Sequence, residues 1–121
     1  MGKKLTVSWK RFLDEKVNPK VNEFLDSAGV DVLTQIIEIV EKASKRNQEE
    51  VAVLLYPTAS AIALIKREEY EEVLEICLRW FEKKEYYEQC ADIQKVTERV
   101  RKNNLKHYAK IFKKDEEVIT K

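Results

Sequence analysis

The chain has 121 residues, which is enough for one domain with its own hydrophobic core but not for two. Hydrophobic residues make up 44% of it and charged residues 37%, with only two glycines and two prolines. This composition is typical of a mostly helical globular protein and excludes a disordered chain. The net charge of +1 excludes a uniform polyelectrolyte, so contact with a nucleic acid would have to be local. We predict a single small domain spanning 1–121.

The two ends of the chain are basic and the middle is acidic. Residues 1–20 contain six basic and two acidic side chains, and residues 101–121 contain seven basic and three acidic ones. We expect these basic termini to be frayed. The favoured interpretation is that charged helix faces are simply solvated. In the alternative, the basic ends pair with the acidic middle, within one chain or between chains.

The first third of the chain predicts three helices. Thr6 or Ser8 is suited to cap a short helix that carries Trp9, Phe12 and Leu13 on one face. Asn18-Pro19 is typical of a second helix start, and Ala28-Gly29 of its end. A third helix is expected from Asp31 to Asn47, because its apolar residues recur at helical spacing.

Two short apolar runs follow, at Val51–Tyr56 and Ala61–Ile65, separated by Pro57-Thr58-Ala59-Ser60. Short apolar runs bounded by helix breakers favour buried strands, although periodicity alone leaves a buried helix open. We therefore predict an α+β fold, mostly helical, with about five helices and a short β-hairpin near residues 51–65. The alternative is an all-α fold.

The clearest periodicity lies in residues 67–102, which predict two antiparallel helices joined by a tight turn. The apolar residues of the first helix recur at i, i+3, i+4 and i+7, and glutamates crowd its first turns, where the helix dipole favours them. The apolar residues of that helix are Tyr70, Val73, Leu74, Cys77, Leu78 and Phe81. The inward residues expected of the second are Tyr86, Cys90, Ile93, Thr97 and Val100. Asn103-Asn104 predicts a break before a last short helix.

No group of residues has the pattern of a catalytic, cofactor-binding or metal-binding site, so we predict that the chain is not an enzyme and uses no cofactor. The sole histidine, His107, lies in a basic segment without a sequence neighbour that could activate it. Cys77 and Cys90 fall on apolar helix faces, where a cysteine behaves as a small hydrophobic residue, although a disulfide between them is conceivable. Glycines at positions 2 and 29 alone exclude a Gly-rich phosphate loop.

The acidic cluster and the hydropathy pattern exclude two further classes. The glutamates at 68, 71, 72 and 75 have the spacing of an outward helical face rather than of a calcium loop. No apolar run approaches the roughly 18 residues that span a bilayer, so we expect no membrane contact. Without a signal peptide, we expect a cytoplasmic location.

Large aromatic and basic residues supply two sets of candidate contact residues. The aromatic set, expected to bind a protein partner, is Trp80, Tyr86, Tyr87 and Trp9. Trp80 lies off the apolar stripe, and the alternative that it packs on another element is equally open. The basic set, which could bind nucleic acid, is Arg101, Lys102, Lys106, Lys110, Lys113 and Lys114. We favour the alternative that this segment is a helix that docks Leu105, Tyr108 and Phe112 onto the core.

Residues 71–100 resemble a known helical hairpin. Tyr87-Glu88 is an aromatic–Glu pair, Cys90-Ala91 a pair of small residues and Ile93 an aliphatic residue. In this order they resemble the UVR motif of bacterial excision-repair subunits and of some protease adaptors, although Gln94-Lys95 stands where that motif has Arg-Asp. The resemblance implies a hairpin with a protein–protein role, and it assigns no site residue.

These observations together predict a small interaction or structural module. Its partner, either an unknown protein or a second copy of the chain, would bind through the 67–102 hairpin. The alternative is a nucleic-acid-binding accessory protein that uses the basic 101–114 segment and the N-terminus.

Overall fold

The computed structural model describes residues 5–13, 16, 18–54 and 61–119. In chain order the strands and helices are β1 (Leu5–Ser8), α1 (Lys10–Leu13), α2 (Val21–Lys45), β2 (Glu50–Leu54), β3 (Ala61–Lys66), a 3₁₀ turn (Arg67–Glu69), α3 (Tyr70–Lys83) and α4 (Tyr87–Ile119). The prediction of a mostly helical α+β fold is therefore confirmed. The expected number of about five helices is wrong, because three long helices and the single turn of α1 account for the helical structure described.

The β-hairpin predicted near residues 51–65 is present, so the all-α alternative is wrong. β2 and β3 pair antiparallel, with Val51 opposite Ile65 and Val53 opposite Ala63. Residues 55–60, which connect the two strands in the sequence and include the end of the predicted run Val51–Tyr56, lie outside the described residues. The predicted fraying of the basic termini falls partly on residues 1–4 and 120–121, which also lie outside them.

A third strand, which the sequence did not predict, completes the sheet in the order β1-β3-β2. β1 runs parallel to β3, with Val7 opposite Ala63. Thr6 and Ser8 therefore both belong to a strand. Ser8 also precedes α1 closely, and its Oγ accepts a hydrogen bond from the Lys10 N–H at 3.3 Å. Along β2 and β3, alternate residues are buried against the helical layer, and α2 contacts β2 directly.

The predicted helix boundary at Gly29 is a kink within one helical element. Gly29 has φ 74° and ψ −179°, a backbone conformation outside the helical region, between two helical stretches of α2. The second predicted helix, expected to end at Ala28-Gly29, and the third, expected to start at Asp31, are thus the two parts of the kinked helix α2.

The predicted break at Asn103-Asn104 does not occur, and α4 passes through both residues. Both side chains make tertiary hydrogen bonds: Asn104 Oδ1 accepts from Arg67 Nε at 2.9 Å, and Asn103 Nδ2 donates to Ser44 Oγ at 3.2 Å. These bonds offset the weak helix propensity of asparagine.

The core lies between the sheet and α2 on one side and the α3–α4 hairpin on the other. Five of the six predicted α3 residues are buried, and Leu78 is half-buried. On α4 the buried residues are Cys90, Ile93, Val96 and Val100. The stripe predicted for α3 is therefore confirmed. On α4, Val96 is buried instead of the predicted Thr97, which is half-buried, and Tyr86 is exposed.

A Schellman motif reverses the chain between α3 and α4. The Tyr86 N–H donates to the Phe81 carbonyl and the Glu85 N–H to the Glu82 carbonyl, both at 3.0 Å. Glu85 adopts φ 61°, and the Tyr86 ring lies 6.1 Å from that of Phe81. This pair of bonds with a left-handed residue and an apolar contact is a helix C-cap that turns the chain back on itself. It makes the two helices antiparallel neighbours.

Candidate functional site

A groove of about 570 Å³ runs between α3 and α4 on the side of the hairpin away from the core. One wall comes from the 3₁₀ turn and α3, and the other from α4. The lining residues are Glu68, Glu71, Glu72, Glu75, Leu78, Gln94, Thr97, Glu98 and Arg101. We call this feature the acidic groove.

Helical periodicity explains why glutamates line the first wall. The buried stripe of α3 faces α2 and α4, so residues 68, 71, 72 and 75 fall together on the outer side. On α4, Gln94, Thr97, Glu98 and Arg101 follow the same i, i+3, i+4, i+7 spacing. Packing the two helices side by side converts two outward faces into one groove.

The charges of the acidic groove are largely uncompensated. Arg101 Nε lies 3.5 Å from Glu71 Oε1, and Glu75 pairs with Arg79 on its own helix at 2.6 Å. Glu68, Glu72 and Glu98 make no ion pair with any residue that the structure describes. Carboxylates set along one cleft generate a negative potential that attracts cationic groups.

Half-buried, less polar side chains contribute to the same groove. Leu78 of α3 and Thr97 of α4 both line it, and the Thr97 hydroxyl is occupied by a hydrogen bond to the Ile93 carbonyl at 2.8 Å. In the described part of the chain no group of three His, Cys, Asp or Glu residues is arranged to hold a metal ion. The groove therefore combines negative charge with a small apolar contact area.

The outer face of α4 continues beyond the acidic groove and is basic. Lys102, Lys106 and Lys110 are exposed at a spacing of four residues, and between them Leu105 is 63% exposed and Ala109 is exposed. We call these five residues the lysine face. Of the other predicted nucleic-acid-binding residues, Arg101 lines the groove, and the side chains of Lys113 and Lys114 lie outside the described set.

The expected docking of Leu105 onto the core is wrong. Because α4 is continuous, its phase is set by Val96 and Val100, which place Asn104 and Tyr108 inward and Leu105 outward. The side chain of Phe112 is not described.

Both tryptophans predicted to bind a partner belong to the core. Trp9 is fully buried and Trp80 is 6% exposed. The Trp80 Nε1–H donates to Asp26 Oδ1 at 2.9 Å, which decides in favour of packing on α2. Lys84 Nζ lies 3.2 Å from the same oxygen. The hydrogen bond from Trp80, and to a smaller extent that from Lys84, holds the pKa of the Asp26 carboxyl below its usual value.

The two predicted tyrosines lie at the turn of the hairpin. Tyr86 is 40% exposed and packs against Phe81 and Trp80, with ring centroids 6.1 Å apart in each case. Tyr87 is 69% exposed. Tyr86 therefore stabilises the turn, while Tyr87 presents its ring to solvent.

A buried polar cluster that the sequence did not predict is centred on Arg67, whose side chain is fully buried. Its Nε donates to Asn104, and its Nη2 donates to the Asn103 carbonyl at 3.2 Å, Asn47 Oδ1 at 3.3 Å and the Ser44 carbonyl at 3.4 Å. Nη1 has no hydrogen-bond partner among the described residues. The guanidinium thus joins the end of α2 to the middle of α4, a role that no local sequence pattern indicates.

Tyr70 of α3 and His107 of α4 both contact the segment that connects α2 to β2. The Tyr70 hydroxyl donates to the Gln48 carbonyl at 2.9 Å, and burial raises the pKa of Tyr70 to about 12. His107 Nε2 lies 2.6 Å from Glu49 Oε1, at ion-pair distance but without hydrogen-bond alignment. His107 therefore contributes to the contact between α4 and the segment that connects α2 to β2.

Neither cysteine forms a disulfide. Cys77 and Cys90 are both buried free thiols, and burial raises the pKa of the Cys77 thiol to about 12. A thiol with this pKa is overwhelmingly protonated at neutral pH, which agrees with the packing role expected from the sequence.

No protein-family model, curated protein or solved structure gives a significant match to this chain. Within the described residues, no helix is both long and apolar enough to cross a membrane. Fold and site define the chain as a small α+β protein in which a helical hairpin presents an acidic groove beside a basic helix face.

Proposed function

We propose that this chain is a non-catalytic interaction module that binds a protein partner through the α3–α4 hairpin. The observation that carries the proposal is the acidic groove, where carboxylates from two helices converge with few compensating cations. The likeness of residues 71–100 to the UVR hairpin supports the same role.

The shape of the groove favours a helical segment as the bound element. Glu68, Glu72 and Glu75 follow one another at about one helical turn each, over roughly 10 Å of wall. Basic residues spaced three or four apart on a partner helix would meet them in register, while an apolar residue of that helix would contact Leu78. Such charge complementarity governs partner choice and association rate.

A labelled amphipathic peptide tests this function. The probe is a helical 18-residue peptide with lysines at every fourth position beside one leucine row, and binding is followed by fluorescence anisotropy at low salt. We expect the double variant Glu72→Lys/Glu98→Lys to bind about tenfold more weakly or worse, because the groove then repels the peptide. Binding to the wild type should also weaken as salt is added.

A matched variant separates the groove from overall charge. Glu38→Lys/Asp92→Lys makes the same change in net charge at two exposed residues that do not line the groove. It should bind the peptide as the wild type does. Equal binding by the groove variant and the wild type, or no binding by the wild type, would reject the proposal.

The lysine face favours a second candidate, a nucleic-acid-binding accessory role. Lys102, Lys106 and Lys110 are all exposed on one side of α4 and could neutralise successive phosphates. Titration with labelled single- and double-stranded nucleic acid at low salt tests it. Binding that falls steeply with salt and is lost in Lys106→Glu/Lys110→Glu supports this role, and the absence of salt-sensitive binding rejects it.

A further inference from the structure

We infer that the segment that fills the acidic groove is the lysine face of a second copy of this chain. The inference rests on the proposed function, because it uses the same groove and names its occupant. It begins from Leu105, an apolar side chain that is 63% exposed between lysines on the side of α4 turned away from the core. No described residue covers this face.

Charge and spacing match between the two surfaces. Lys102, Lys106 and Lys110 recur every four residues, which separates them by about 6 Å along the helix axis. The glutamates at 68, 72 and 75 recur at three or four residues and form the groove's α3 wall. A lysine row of this period can therefore lie along a glutamate row of nearly the same period.

The apolar residues of the two surfaces are also complementary. Leu105 is the exposed apolar centre of the lysine face, and Leu78 is the half-buried apolar residue of the groove. An apolar contact flanked by opposite charges is the arrangement by which amphipathic helices bind grooves. A nucleic acid would satisfy the lysines but would leave Leu105 without an apolar partner.

The position of both surfaces on α4 allows a closed dimer. Glu98 and Arg101 of the groove precede Leu105 by seven and four residues, so all three lie on one side of the helix. If two copies place their α4 helices antiparallel about a two-fold axis, each lysine face lies over the groove of the other copy. The interface is then isologous and does not propagate.

Charge exchange between two variants tests this inference by sedimentation equilibrium at low salt. The groove variant is Glu72→Lys/Glu98→Lys, and the lysine-face variant is Lys106→Glu/Lys110→Glu. The wild type should dimerise, and each variant alone should dissociate with a constant at least about tenfold higher, because like charges then meet. An equimolar mixture should recover the wild-type dimer fraction, since each lysine or glutamate row again meets its opposite.

Folding is controlled by a charge-neutral variant. Leu105→Ser replaces a side chain that is mostly exposed, so at a concentration at which both proteins are monomeric it should keep the wild-type unfolding temperature, while weakening the dimer at higher concentration. Unchanged dimerisation in all three variants, or no recovery in the mixture, overturns the inference. A wild type that stays monomeric overturns it too, and if that monomer binds the basic peptide the proposed function stands alone.

Discussion

Arg67 is the residue on which the packing of α4 depends most directly. A fully buried guanidinium is costly to desolvate, and its described hydrogen-bond partners are neutral carbonyl and amide oxygens rather than carboxylates. Those oxygens belong to Ser44 in the last turn of α2, to Asn47 two residues after that helix ends, and to Asn103 and Asn104 in the middle of α4. The charge also faces the negative end of the α2 dipole, which compensates for part of the desolvation.

Removing the guanidinium should destabilise the fold strongly. Arg67→Met keeps much of the volume but leaves several buried oxygens without donors, so we expect a loss of about 2–4 kcal/mol in the free energy of unfolding. The control, Arg79→Met, breaks only an exposed pair with Glu75 and should lie within about 0.5 kcal/mol of the wild type. Urea unfolding measures both. A loss below about 1 kcal/mol for Arg67→Met would contradict the claim that the packing of α4 depends on the Arg67 hydrogen bonds.

Tyr70 should make stability fall at alkaline pH. Its pKa is raised by burial from 10.0 to about 12, so the protonated phenol is favoured by folding. Its contribution is complete below pH 10, where both states hold the proton, and is lost as pH rises from 10 towards 12, where the unfolded state releases it first. Cys77, with its pKa also raised to about 12, adds to the same loss from about pH 9.

Tyr70→Phe isolates the tyrosine contribution. At pH 7 it should cost about 1 kcal/mol, the value of the hydrogen bond to the Gln48 carbonyl. Between pH 10 and 12 its unfolding free energy should fall less steeply than that of the wild type, whereas exposed Tyr87→Phe should follow the wild-type profile. Denaturant titrations from pH 8 to 11.5 decide this, and superimposable profiles for Tyr70→Phe and wild type would refute it.

At the scale of the elements, the kink of α2 depends on one glycine. Gly29 has φ 74° with ψ −179°, a region that is essentially restricted to glycine, and a Cβ there would meet no atom within 4 Å. Any cost of substitution therefore comes from the backbone conformation rather than from a clash.

Gly29→Ala should lower the free energy of unfolding by about 1–3 kcal/mol, because an L side chain is strained at this φ and ψ. The neighbouring exposed Ser27→Ala, within the regular helix, should change it by no more than about 0.5 kcal/mol. Thermal unfolding followed by circular dichroism measures both. Equal stability of Gly29→Ala and the wild type would mean that α2 straightens without cost.

Elements defined by local patterns were predictable, and those defined by distant contacts were not. The apolar stripe of α3 is visible in the sequence as helical periodicity. The two apolar runs that form β2 and β3 are marked by the helix breakers that bound them. β1 has four residues and pairs in parallel with a strand more than fifty residues away, so no local pattern marks it. Asn103-Asn104 is typical of a break, and only the bonds to Arg67 and Ser44 keep it helical.

The candidate site was predictable in composition but not in shape. The outward placement of Glu68, Glu71, Glu72 and Glu75 follows from helical spacing, yet the groove requires α4 to pack beside them. Leu105 is exposed because α4 continues through Asn103-Asn104, so that Val96 and Val100 fix which of its residues face the core. The predicted break at Asn103-Asn104 led instead to the expectation that Leu105 faces the core. Trp9 and Trp80 were candidates because large aromatics anchor interfaces, but they fill the core instead.

At the scale of the whole molecule, opposite charges lie on adjoining parts of one surface. The acidic groove and the lysine face share the outer side of α4, whereas the near-neutral net charge gives no sign of this division. A different surface, the outer side of the sheet, carries half-buried Ile62 and Leu64 with exposed Ala52. On that surface the exposed Glu50 lies opposite the exposed Lys66. This balanced pair does not form a row of negative charge that matches the lysine face, so we expect association to avoid it.

Amide chemical-shift mapping of the wild-type protein over a dilution series at low salt tests most directly whether the groove binds the lysine face of a second copy. Concentration-dependent shifts should appear together in the groove, at residues 68–78 and 94–101, and in the lysine face, at residues 102–110. They should be absent from the sheet and should disappear in high salt. Shifts confined to Ile62, Leu64 and their neighbours, or no concentration dependence at all, would contradict the pairing of groove and lysine face.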